Sequence, residues 1–306
     1  TLLIWKAQAL LAMGYPDQAL PPATRSWELD PSPHACHLKS NALEALGNLD
    51  DSEDLLRMGW RLFPEAVHLP VQLAVVLSDQ ARHPEALDVL DEIEVDERIP
   101  ADLQVFLFGM RSNLLAAMGR WAEADEALRD GLGFHPESEL LADAHEALKH
   151  ARRRARAEDA LAASWRDELT AIDGVGGEVD DAIVRCGAVN ELPELVTLAA
   201  RRLWRAFVEQ EDPKLHAPDP WSAALVLAIL EIDGDQRTTA SIARSVRSNP
   251  SSVRTVLSRL RDFLSSLDDE IRMRAFAAHR NPRLDGVPPT PRFNERPADV
   301  VPFPDR

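Results

Sequence analysis

Three glycines, Gly14, Gly47 and Gly119, recur in the same local context, and that recurrence constrains the fold more than any other feature. The clearest unit is NLLAAMGRWAEADEALRDGLGFHP, residues 113–136, with Gly119, Trp121, Ala124 and a closing Pro136. The unit IWKAQALLAMGYPDQALPPATRSWELDP puts Gly14, Ala19 and the run from Ser26 to Pro31 in matching places. A second carries Gly47, Leu49, Ser52, Leu56, Gly59 and Pro64, and Pro31 and Pro64 lie 33 residues apart. A third, degraded unit has Ala81, His83, Ala86 and Leu90 but no closing proline. Glycine in a turn between helices permits left-handed backbone. Small residues such as Ala19, Ala86 and Ala124 let two helices approach closely, and proline ends the second helix. Such units cannot bury an apolar face alone, so they stack.

These residues make the stretch 1–136 resemble the tetratricopeptide repeat, a helix–turn–helix unit of about 34 residues. The resemblance implies a helical solenoid whose concave groove holds a protein or peptide partner, with Lys6, Asn41 and Asn113 as groove candidates on the first helices. The plainer expectation is an array that serves as a dimer surface or spacer. His34, Cys36 and His37 suggest metal ligands, but Cys36 falls where the repeat family places a packed core residue, and a fourth ligand at zinc spacing is lacking. No metal and no cofactor is therefore expected. The acidic run Asp88–Glu97 reads as a solvated face.

Charge divides the chain. The net charge is −17, yet residues 1–150 hold 11 Lys/Arg against 26 Asp/Glu, while residues 151–306 hold 23 against 25. The halves should have different partners, and the first should be repelled by nucleic acid. No apolar run reaches the roughly 18 residues of a membrane span. Two cysteines, Cys36 and Cys186, without a basic n-region at the start, set the expectation of a reducing, cytoplasmic setting.

The stretch Arg237–Leu264, RTTASIARSVRSNPSSVRTVLSRLRDFL, is the electrostatic exception: six arginines and no acid between Arg237 and Arg261. It reads as two helices about a tight turn. Thr239 is expected to cap the first, which carries Ile242, Ala243 and Val246. Asn249 is an N-cap candidate ahead of Pro250 at the first helical position. Val253, Val256, Leu257, Leu260 and Leu264 then follow at helical spacing. Before them, WSAALVLAILEI starts behind Asp219-Pro220 and is apolar nearly all round, as a central helix would be. Residues 192–266 resemble helix–turn–helix DNA-binding domains, most closely the end of a cyclin-like repeat of transcription factor IIB. They are also similar to bacterial proteins of unassigned function with the same Trp-x-Ala-Ala helix.

The resemblance implies that Ser251, Ser252, Arg254, Thr255 and Ser258 of the second helix meet base edges, with Arg254 able to contact guanine in bidentate fashion. Arg237, Arg244, Arg247, Arg259 and Arg261 would serve the phosphate backbone, and Thr239 belongs to the same DNA-binding set. Two positions depart from the pattern. Arg247 stands where glycine is usual and Ser248 where an apolar residue is usual, so a looser turn is expected. The bridge between the two regions holds a second basic group, Arg152, Arg153, Arg154 and Arg156. Glu146, Glu158 and Asp159 flank it, so pairing along the helix is the better reading.

The fold expected is all-α: a tetratricopeptide-like array over 1–150, a helical bridge and linker over 151–190, a helix–turn–helix domain over 191–280 and an extended Pro-rich tail over 281–306. Residues 172–183, IDGVGGEVDDAI, read as a linker turn, and Phe293, Val300, Val301 and Phe303 could lay the tail on the domain. No nucleophile elbow, phosphate loop or paired metal motif occurs, so no catalytic residue and no enzyme is expected. The function expected is a DNA-binding transcriptional regulator with a partner-binding array. The alternative is a protein–protein adaptor that ignores nucleic acid.

Overall fold

A computed structural model describes residues 2–96, 98–170, 177–211, 213, 217–281 and 284. The described residues form α-helices and turns, with no β-strand among them. None of the described helices is long and apolar enough to cross a membrane. The chain divides into two compact units, one built on Thr1–Lys149 and the other on His150–Pro289.

The first unit holds four helix pairs: α1 (Leu2–Ala12) with α2 (Pro16–Leu29), α3 (Pro33–Ala45) with α4 (Leu49–Leu62), α5 (His68–Asp79) with α6 (His83–Asp91), and α7 (Ala101–Ala117) with α8 (Trp121–Phe134). Each helix packs on the next in sequence, and α3 also packs on α1 and α5. One turn geometry joins every pair. Gly14, Gly47 and Gly119 adopt φ of 76°, 78° and 74°, and Ala81 takes the same left-handed conformation at 58°. The following amide closes the helix in each case: Tyr15 N–H on Leu10 O, Asn48 on Leu43, Arg82 on Leu77 and Arg120 on Leu115. This pairing satisfies carbonyls that the helix end leaves open.

The pairs share a register. Ala7, Ser40, Ala74 and Ser112 stand at one position of the first helices, and Ala19, Ser52, Ala86 and Ala124 at one position of the second. All eight are buried, and Ser40 and Ser52 hydrogen-bond at 2.7 Å. Close approach at the next interface fixes Gly59: a Cβ there would stand 2.4 Å from Cys36 Sγ. Cys36 is thus a core residue. Burial pushes its thiol up to about 12, and the Sγ–H points at Leu55 O.

Helix α9 (Glu139–Thr170) is a single helix. Its Leu141, Ala144 and Leu148 belong to the core of the first unit, and its Leu161, Ala162, Trp165 and Leu169 to that of the second. In the second unit follow α10 (Gly177–Val189), α11 (Glu194–Gln210), α12 (Pro218–Asp233), α13 (Thr239–Ser245), α14 (Pro250–Ser265) and α15 (Asp269–Phe276). Helix α12 is buried at every residue from Trp221 to Leu230 and packs on α10, α11, α13, α14 and α15. A helix apolar all round needs cover on all sides.

Two expectations are corrected here. Residues 177–183 are the start of α10 and not a linker turn. Glu178 and Asp180 suit its positive N-terminal end, and buried Asp180 accepts a fork of hydrogen bonds from Arg201 at 2.7–3.0 Å. Asn281 and Leu284, expected in an extended tail, are buried in the second unit. Asn281 Nδ2 donates to Arg274 O and Ala277 O at 3.0 Å. Residues 172–176 and 285–306, including Phe293, Val300, Val301 and Phe303, lie outside the described residues.

Candidate nucleic-acid interface

The site candidate is built on α13, its turn and α14. Helix α13 is capped one residue earlier than the sequence suggests. Thr238, extended at φ −85° and ψ 147°, accepts from Ser241 N–H through its hydroxyl, whereas Thr239 is the first helical residue and half-buried. Only a residue with extended backbone can turn its side chain back onto the first free amides, so the capping role assigned to Thr239 belongs to Thr238. Ile242 and Ala243 anchor α13 in the core.

The turn is not loosened by the missing glycine. Arg247 itself adopts the left-handed conformation, φ 55°. Arg247 N–H bonds Arg244 O at 3.1 Å and Ser248 N–H bonds Ala243 O at 2.8 Å, the closure seen at Gly14, Gly47 and Gly119. The fold accepts a strain of about 1–2 kcal/mol at this side chain. Helix α14 then starts from Asn249, whose Oδ1 accepts from Ser251 N–H at 2.9 Å and from Ser251 Oγ–H at 2.8 Å. Val253, Leu257, Leu260, Phe263 and Leu264 face the core.

The opposite face is exposed and carries Ser251, Ser252, Arg254, Thr255, Ser258, Arg259 and Arg261. Thr255 Oγ1–H is turned onto Ser251 O at 3.1 Å; Ser252 and Ser258 make no side-chain hydrogen bond among the described residues. The six arginines separate into two groups. Arg261 forks onto Glu231 of α12 at 2.5 and 2.9 Å. The guanidinium of Arg259 lies over the rings of Trp221 and Phe207, 5.4 and 5.6 Å from their centroids. Arg237 donates to Asn190 O at 3.3 Å and pairs with Asp235 at 3.7 Å. Arg244, Arg247 and Arg254 are exposed and make no ion pair among the described residues. No carboxylate among the described residues engages the last three, while Arg259 and Arg261 hold α14 to α11 and α12. Sequence spacing gives no sign of that, because Glu231, Trp221 and Phe207 lie far upstream in the chain.

In the first unit the groove candidates differ among themselves. Lys6 is exposed on α1 and Asn113 half-buried on α7. Asn41 is engaged: its Oδ1 accepts from Gln72 Nε2 at 2.5 Å, and its Nδ2 lies 3.0 Å from His37 Nε2. Gln72 also donates to Glu44, which accepts from Ser40. Asn41 thus joins α3 to α5 within a polar network. Among the described residues no group of three His, Cys, Asp or Glu side chains is placed to hold a metal ion. In the bridge, Arg154 bonds Glu158 at 2.9 Å and His279 O at 2.8 Å. No family model and no curated protein matches the sequence.

Proposed function

We propose that this chain is a DNA-binding regulator in which α13 and α14 act as a helix–turn–helix and the first unit is a tetratricopeptide-like array holding a protein or peptide partner. The recurring left-handed turn and shared register of the four helix pairs support the array. Its 11 basic against 26 acidic residues favour a protein over a nucleic acid as that partner.

One observation carries the DNA reading: Arg244, Arg247 and Arg254 stand exposed and without ion pairs among the described residues around the start of α14, in a chain of net charge −17. In this reading the N-terminal half of α14 enters a major groove, Arg254 contacts a base edge beside Ser251, Ser252, Thr255 and Ser258, and Arg244 and Arg247 hold phosphates. Each phosphate contact steepens the salt dependence of binding by about 0.9 in the log–log slope. The test is fluorescence anisotropy of the full chain on duplex DNA across a salt series. Arg244→Ala and Arg247→Ala should each flatten the slope by about 1, and Arg254→Ala should reduce discrimination between sequences. Absence of binding at low salt, or binding indifferent to Arg247→Ala combined with Arg254→Ala, refutes the reading. The adaptor alternative draws on a separate observation, the engagement of Arg259 and Arg261 inside the domain. It predicts a defined protein partner and no DNA binding.

A further inference from the structure

Helix α13 is seven residues long, and its fully buried side chains are Ile242 and Ala243. A helix this short has little stability of its own, yet Arg244 leaves from its last turn and Arg247 from the turn behind it. Besides its packing on α12 and α14 and the backbone closure of the turn, side-chain hydrogen bonds from the end of α10 reach that end. Asn190 Nδ2 donates to Ser245 Oγ at 2.8 Å and to Cys186 O at 2.8 Å. Ser245 Oγ–H is itself committed to Ile242 O at 2.7 Å, so toward Asn190 the hydroxyl can only accept. Both neighbours therefore demand donors, and an amide satisfies them where a carboxylate does not. The backbone oxygen of the same residue accepts from Arg237 Nη1 at 3.3 Å, ahead of α13. Next to it, Glu191 takes a left-handed conformation, φ 49°, which ends α10 at this point.

We infer that Asn190 is a positioning residue for the arginine face: by holding Ser245 at one end of α13 and Arg237 at the other, it sets where Arg244 and Arg247 stand. This rests on the DNA-binding reading of that face. Asn190 does not itself reach the nucleic acid. Its side chain fixes the end of α13, so its loss should misplace cations without removing any.

The test compares the full chain with Asn190→Ala, Ser245→Ala and the double variant, on duplex DNA across a salt series, with amide exchange measured in the absence of DNA. Both single variants should weaken binding about fivefold, the size of one lost hydrogen bond, and flatten the salt slope by about 1. The double variant should weaken binding by clearly less than the product of the two single effects, because the two variants share the Asn190–Ser245 contact. Exchange at the amides of Val246, Arg247 and Ser248 should quicken while those of Leu257 and Leu260 keep their protection. A general loss of stability would lower the bound fraction without altering the slope, so the slope separates positioning from support. If the wild type binds and the variants keep its slope, or if exchange at Val246–Ser248 is unchanged, the role assigned to Asn190 is overturned. If the wild type ignores duplex DNA, the DNA-binding reading falls, and this role falls with it.

Discussion

The turn between α5 and α6 uses Ala81 where the other three pairs use glycine. All four close with the same backbone bonds, so the fold imposes the left-handed conformation at Ala81 regardless of its cost. For an L-residue that cost is about 1–2 kcal/mol. Replacing Ala81 by glycine removes it and adds about 0.5–1 kcal/mol of freedom to the unfolded chain. The net expectation is a stabilisation of about 0.5–1 kcal/mol, or roughly 1–3 °C in melting temperature for a domain of this size. Ala81 is exposed, so no packing is lost. Gly119→Ala is the mirror experiment. A Cβ at Gly119 meets nothing within 4 Å, so only backbone strain enters, and stability should fall by a similar amount. Because a chain of two units need not unfold in one step, native-state amide exchange in α5 to α8 is the suitable assay, with urea unfolding followed by circular dichroism beside it. If Ala81→Gly leaves protection unchanged or lowers it, or Gly119→Ala costs nothing, the strain is not located at these residues and the argument fails.

The same reasoning at Arg247 predicts two effects of opposite sign. Arg247→Gly should stabilise the α13–α14 turn by about 0.5–1 kcal/mol in amide exchange, and should weaken DNA binding while flattening its salt slope by about 1. The two units should also respond oppositely to pH. His279 is raised above 6.5, chiefly by the Glu158 carboxylate 3.8 Å away with Asp233 adding to it, against burial and Arg154. Its contribution is present below pH 6.5 and lost as pH rises through the raised folded-state value. His68 is lowered, chiefly by burial and further by His34, while its bond to the Pro33 backbone opposes the shift. Its contribution is present above pH 6.5 and lost as pH falls through the lowered folded-state value. Urea unfolding between about pH 5.5 and 8, with unit-resolved exchange, should show α15 and its surroundings weakening upward and α3 and α5 weakening downward. His279→Gln and His68→Gln should each abolish one trend.

Much of the fold is legible from residues whose role is local. Gly14, Gly47 and Gly119 mark turns because a left-handed position selects for them, and Asn249-Pro250 marks a helix start because capping acts within three residues. The run from Trp221 to Leu230, apolar at every position but Ser222, announces a central helix. Ala81 and Arg247 show the limit of such signals: the backbone state persists where the diagnostic residue does not, and only register reveals it. Thr238 and Thr239 are indistinguishable by type, so residue identity alone cannot place the cap on the right one. Asp180 in isolation argues only against phosphate binding, since its partner Arg201 lies 21 residues away. The roles of Arg259 and Arg261 depend on α11 and α12 folding beneath α14, which no spacing within Arg237–Leu264 encodes.

Helix α9 bears on how this chain can be taken apart or recombined. Its apolar residues are divided between two cores, Leu141 to Leu148 for one and Leu161 to Leu169 for the other, along one helix. Any cut near residue 150 leaves the first core with a helical stub no longer than the roughly 12–15 residues at which helices become marginally stable alone. It leaves the second core with a helix deprived of its first turns. Neither unit is a cassette with a clean edge. Gene fusions and excisions at this joint must carry the whole of α9 with whichever half is kept.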